Sequence, residues 1–245
     1  MIDVLVSITV IAILVSLISP VLEHVRHAAN QVVCASNLRQ VGLCLSMYQD
    51  DHNTVLPQER RSAARADDEP NDPQIAHTGE HPGAWSGLGW LVAEGYVSTP
   101  QVFYCPSHEG TQTQDEYADA WVNLDRPIRT NYAYRGELAR PASDVPAATA
   151  HNHNPASTHA VLVSDAFTST ADLNHTTGFN TLSTSLSVAW LDDESRAIQG
   201  LIASFAQQGI GSDEAWSILD RNTEPTDNPS SENVSGARMF LNFLF

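Results

Sequence analysis

The uncharged run from Val4 to Leu22, preceded by the single acid Asp3, limits this chain more than any other stretch. About twenty apolar residues rising 1.5 Å each match a hydrocarbon core of about 30 Å. Its polar members, Ser7, Thr9, Ser16 and Ser19, can bond back to a helix backbone. Beyond it the sequence stays helix-compatible but turns amphipathic: Leu38, Val41, Leu45 and Tyr48 share a stripe from which Arg39 and Gln40 are absent. One helix is therefore expected to continue from an oily segment into the spine of a head. A cleaved signal peptide would want a basic start and a small-residue cleavage site. Here the start is acidic and the helical pattern runs on. A plain membrane anchor remains the simple alternative.

The 245 residues suffice for such a segment plus one domain with its own core. With 29 acidic residues against 12 basic ones, all arginine, the formal charge is −17, which disfavours nucleic acid as a partner. The acids are scattered, which reads as solubility or as carboxylates able to take calcium outside the cytoplasm. Three cysteines cannot all pair within one chain. Cys34 and Cys44 lie about 15 Å apart along one expected helix, too far to join. Any bridge must include Cys105, with three buried thiols as the alternative.

Pro57 is expected to end the spine. Gln58 to Gly83 reads as loop, broken by prolines, and Trp85 to Tyr96 as a short helix closed by Gly95 with Trp90 and Leu91 inward. Val102 to Tyr104 resembles a short strand stopped by Pro106. Tyr117 to Trp121, then Tyr132 and Tyr134, give aromatic strand signals. Ala160 to Phe167 is the best candidate for a central strand, and His175 to Trp190 for a hairpin. Helices are expected around Ala197 to Gln207 and in the segment DEAWSILD. The short apolar tail MFLNFLF reads as a last strand or a partner-facing patch.

Chemistry is sparse. His151, His153 and His159 surround a loop that could grip zinc, yet nothing nearby completes a shell. Asp220, Asn222 and Glu224 alternate as in a calcium loop, but Pro225 stands where glycine must turn it, so an ordinary acidic loop is the better reading. Ser164, Asp165 and His175 could be imagined as nucleophile, orienter and base. No G-x-S-x-G, H-E-x-x-H, P-loop or G-x-G-x-x-G accompanies them, and Asp165 reads as a turn residue ending a strand. No enzyme, cofactor or metal is expected.

The acid near the start, the β-branched run, Pro20 before its end, and the sequence CASNLRQVGLCLSMYQDDHNTVLP resemble the N-terminus of type IV pilin-like proteins. They are closer still to the pseudopilin-like proteins of planctomycetes and their relatives. Asn37, Leu38 and Gln40, then Cys105, Pro106 and Ser107, carry the likeness onward. A C-terminal signature of His, nine residues and Asp-Gly is matched by His175, Gly178, Asn180, Val188 and Trp190. Ser185-Leu186 replaces the Asp-Gly pair, which implies a changed turn.

The resemblance implies an α+β, pilin-like fold: a long helix on a small antiparallel sheet with short helices. Residues 1–22 would be its transmembrane part, 23–57 the soluble half of the helix, 58–190 the head, and 191–245 an extension outside the likeness. It implies a structural subunit of a type II secretion or type IV pilus-like system, assembling through its helix with Asp3 pairing a neighbour's terminal amine. Its partners would be other pilin-like subunits, secretion machinery and the membrane, plus a prepilin peptidase if a basic leader precedes Met1. It also implies Cys34 as the partner of Cys105. The expected location is the inner membrane, single-pass, with the head periplasmic or at the cell surface. Arg26 and Arg39 behind the run would by charge alone place the head in the cytoplasm. The alternatives are a tethered envelope protein that binds an exported ligand without forming filaments and, further off, a surface-anchored hydrolase.

Overall fold

The computed structural model describes residues 2–59, 72–136, 160–167, 173–201 and 212–223. Helix α1 spans Ile2–Asp51, 50 residues passing through Pro20 without a break. Asn53 and Thr54 take left-handed conformations and end it before the expected stop at Pro57. Cys34, Leu38, Val41 and Leu45 are fully buried and Tyr48 nearly so, each of the large ones contributing roughly 1.5–3 kcal/mol by leaving water. From Val4 to Val25, by contrast, the described large apolar side chains are exposed.

Among the described residues no helix is long and apolar enough to cross a membrane. This overturns the single-pass inner-membrane placement.

The head is mixed α+β. Strands β3 (Tyr132–Tyr134), β4 (Val161–Asp165), β5 (Gly178–Ser183) and β6 (Val188–Asp192) form one sheet in that order, every pair antiparallel. A second sheet pairs β1 (Ile75–His77) with β2 (Ile128–Arg129). Side chains alternate across a strand. Tyr132, Tyr134 and Leu182 therefore face α1, while Ala133 and Phe179 face the other way. A β-carbon on Gly42 would stand 3.1 Å from Leu182, so glycine there lets α1 lie close against β5.

The opposite face is covered by α5 (Ser212–Thr223), which brings Ala215, Trp216 and Leu219 against Val161, Phe167 and Phe179. A short helix, α4, occupies 197–201 before it. Asp220 fastens α5 to the sheet: its Oδ2 takes the buried Arg135 guanidinium at 2.7 Å and its Oδ1 the Val161 N–H at 2.7 Å. Asp220 and Asn222 are thus helical, not part of a loop; Glu224 and Pro225 lie outside the described residues, as do His151, His153, His159 and the MFLNFLF tail.

Four local expectations differ from the structure. Val102 and Phe103 lie in a 3₁₀ turn, Pro100–Phe103, rather than a strand, because Pro100 at its start presets a helical φ. Tyr117 and Trp121 lie on helix α3 (Gln114–Asn123), whose Thr113 caps the Glu116 N–H. Within Gln58 to Gly83, β1 forms because a partner distant in sequence, β2, supplies its ladder. Helix α2 is shorter than expected, Gly89–Ala93, with Leu91 buried and Trp90 only half so.

In the β5–β6 turn Leu186 has φ +63°, the left-handed conformation that glycine supplies freely. The Leu186 N–H still donates to the Ser183 carbonyl at 2.9 Å, and the hydroxyls of Ser183, Ser185 and Ser187 bond to one another. A non-glycine residue held there costs about 1 kcal/mol or more. Leu186→Gly is expected to raise stability by about 0.5–1 kcal/mol, read as a higher urea midpoint with unchanged slope. A lower midpoint would show that the leucine side chain outweighs the backbone strain.

His77 is fully buried, its ring edge-on to Trp85 at 4.9 Å, and its Nδ1 accepts the Gly79 N–H at 3.1 Å. Burial holds its pKa below the usual 6.5. A group depressed by folding supports the fold fully above about pH 6.5 and loses that support as pH falls through its folded value. His77→Asn, which keeps an acceptor for Gly79 but does not titrate, is expected to flatten the decline of the urea midpoint between about pH 7 and 5. Some decline should remain, since burial lowers His175 as well.

Candidate functional site

Where the buried stripe of α1 begins, four elements meet. Cys34 comes from α1, Cys105 from the segment after the 3₁₀ turn, Asp165 from the end of β4, and His175 from the approach to β5. Cys34 and Cys105 are joined in a disulfide closing 71 residues of chain, which fixes the long helix covalently to the head. Cys44 is free; its thiol donates to the Tyr96 carbonyl at 3.3 Å, and burial pushes its pKa up.

Asp165 is the hub. Its Oδ1 accepts from Asn174 Nδ2 at 2.8 Å, and its Oδ2 from Asn180 Nδ2 at 3.0 Å and from the Asn180 backbone N–H. Burial pushes this carboxyl's pKa upward, opposed by His175 and by the three donors, which favour the ionised form. His175 Nε2 lies 3.8 Å from Asp165 Oδ2, 3.3 Å from Asn180 Nδ2 and 3.6 Å from Cys105 Sγ. Burial lowers the His175 pKa while Asp165 raises it, and lowering prevails. A neutral ring leaves Nε2 free to accept from Asn180. Trp190 on β6 sets its edge against the imidazole at 5.4 Å.

Asn131 binds the parts together. Its Oδ1 accepts the Cys105 N–H at 3.0 Å, and its Nδ2 donates to the Gln112 carbonyl. Its own carbonyl accepts from Asn174 Nδ2 and from the Ala166 N–H. On the helix side, Asn37 Nδ2 donates to the Tyr104 carbonyl at 3.2 Å, beside the cysteine it helps to place.

The remaining residues singled out in the sequence have varied settings. Leu38 is core, Gln40 Nε2 reaches the Ser36 carbonyl at the surface, and the Pro106 carbonyl accepts from Asn30. Ser107 Oγ is buried without a hydrogen-bond partner among the described residues. Gly178 is required sterically, since a β-carbon there would meet the Leu191 carbonyl at 2.2 Å and the Trp190 ring at 2.7 Å. Val188 is half-buried against the α1 core. Asp3 is exposed, and the side chain of Pro20 lies outside the described ones. Ser164 donates to the Asp165 carbonyl, and among the described residues no bond links it to His175, so the imagined nucleophile–base pair is not assembled.

Asp165 is the residue that sequence reading undervalues. Its position at the end of an apolar strand suggests a turn, whereas it is fully enclosed and satisfied by two asparagines. The usable signal is Asn174-His175 followed by Asn180, a density of amide donors that a buried acid needs. A scan of protein-family models, a search of curated proteins and a search of solved structures each gave no match to this chain.

Proposed function

We propose that this chain is a non-enzymatic, pilin-like structural subunit of the pseudopilin kind, which assembles by packing the free half of α1 against the same half of sister subunits. The observation that carries the reading is the division of one continuous helix: its latter half is built into the head, and the described large apolar side chains of its first half, from Val4 to Val25, are exposed. An uncovered apolar surface of that length is normally an interaction site. Covering it with equivalent helices buries it without further protein. Asp3 stands exposed near the tip, where in an assembly it would lie among apolar neighbours; a carboxylate there is stable only when paired, and a neighbouring chain's terminal amine is the available cation. The disulfide ties the helix to the head, as a stacking subunit requires.

The test is cross-linking of the full chain in cells. With Cys44→Ser as background, single cysteines at Val10, Ile13 and Leu17 should each give cross-linked dimers, and Asp3→Ala should reduce them several-fold. A chain that stays monomeric with every one of these probes overturns the proposal.

A further inference from the structure

We propose that reduction of the Cys34–Cys105 disulfide converts this clasp into a zinc site, held by the two thiolates and His175 Nε2 with a water as fourth ligand. The two sulfurs and the imidazole nitrogen all lie within 4.8 Å of one another, from side chains that are buried. In a tetrahedral site with Zn–S of about 2.3 Å and Zn–N of about 2.0–2.1 Å, the sulfur–nitrogen edge is about 3.6 Å. Cys105 Sγ and His175 Nε2 are already 3.6 Å apart. Two thiolates in such a site stand about 3.8 Å apart, a separation that side-chain rotation supplies once the bond is broken.

The surroundings suit a dication. His175 Nε2 stands 3.6 Å from the Cys105 sulfur, the ring atom through which an imidazole can ligate. The Asp165 carboxylate, 3.8 Å from that nitrogen, adds negative charge close to the ion. Asn131 and Asn174 hold the loops carrying Cys105 and His175, so the ligands stay placed without the covalent bond. The balance is simple. A dithiol passes two electrons and two protons to the disulfide and becomes a disulfide itself, leaving two thiols; Zn²⁺ then displaces two protons on binding. The same attachment of helix to head is thereby kept under reducing conditions by a metal bridge. This inference stands apart from how α1 assembles.

The experiment uses the full chain, reduced with dithiothreitol, desalted under argon and titrated with Zn²⁺ alone and with Co²⁺ alone. Reduced wild type should bind one Zn²⁺ per chain and melt at a higher temperature with it, and its Co²⁺ form should show thiolate-to-metal charge transfer. The oxidised chain should bind none, Cys34→Ser should lose the charge-transfer band, and His175→Ala should weaken Zn²⁺ at least about tenfold, the least that even an outer-shell change costs. If the reduced apo-chain unfolds, Zn²⁺ must restore its near-ultraviolet circular dichroism. Absence of stoichiometric Zn²⁺ in reduced wild type, equal binding by the oxidised chain, or an unchanged Co²⁺ spectrum in Cys34→Ser overturns the inference.

Discussion

Asp165→Ala is expected to cost about 3–5 kcal/mol, a large part of what a domain of this kind commonly has to lose. The substitution removes the acceptor for three N–H groups, from Asn174 Nδ2, Asn180 Nδ2 and the Asn180 backbone, in a place that water does not reach. Each buried donor left alone costs about 1–3 kcal/mol, and relaxation recovers part of the sum. Asp165→Asn should fall between variant and wild type, because one carboxamide oxygen still accepts while its NH₂ opposes a donor. Urea unfolding followed by tryptophan fluorescence measures both. A loss below about 1 kcal/mol for the alanine variant would mean that the asparagines find other partners and that Asp165 is not the hub.

The second large effect belongs to the clasp. Replacing both cysteines, Cys34→Ser with Cys105→Ser, frees a loop of 71 residues in the unfolded chain. Chain-entropy reasoning puts the loss at about 4 kcal/mol. For a chain of this size that corresponds to a fall in Tm of about 8–16 °C. Differential scanning calorimetry under oxidising conditions gives the number. The double variant is preferred to either single one, which would strand a reactive thiol in the core. A fall of only about 1–2 °C would show that the unfolded chain already holds α1 near the head, leaving little entropy for the bridge to remove.

The parts of the fold legible in the sequence are those written locally. The period of Leu38, Val41, Leu45 and Tyr48 marks the buried face of α1, and the β-branched run Val161 to Val163 marks an inner strand of the sheet. The hairpin is visible because Phe179 and Leu182 stand among polar neighbours. Strand and 3₁₀ turn cannot be told apart at Val102, nor helix and strand at Tyr117, because short aromatic stretches suit either and the packing of Phe103, Tyr104 and Trp121 decides between them. The candidate site is least legible. Asp165 and Asn131 act through partners brought from other strands, and no spacing along the chain records such a meeting. For the cysteines, spacing excludes one pairing, and the partner of Cys105 follows from resemblance alone.

The fastening of α5 by Asp220 carries a further meaning for anyone trimming this protein. A version cut after β6 would keep every described strand, yet it would strip the cover from Phe167 and Phe179 and leave the Arg135 cation with neither its carboxylate nor the Trp216 ring. Such a shortened head should precipitate rather than simplify, because its sheet would have one greasy side and an orphan charge at the rim.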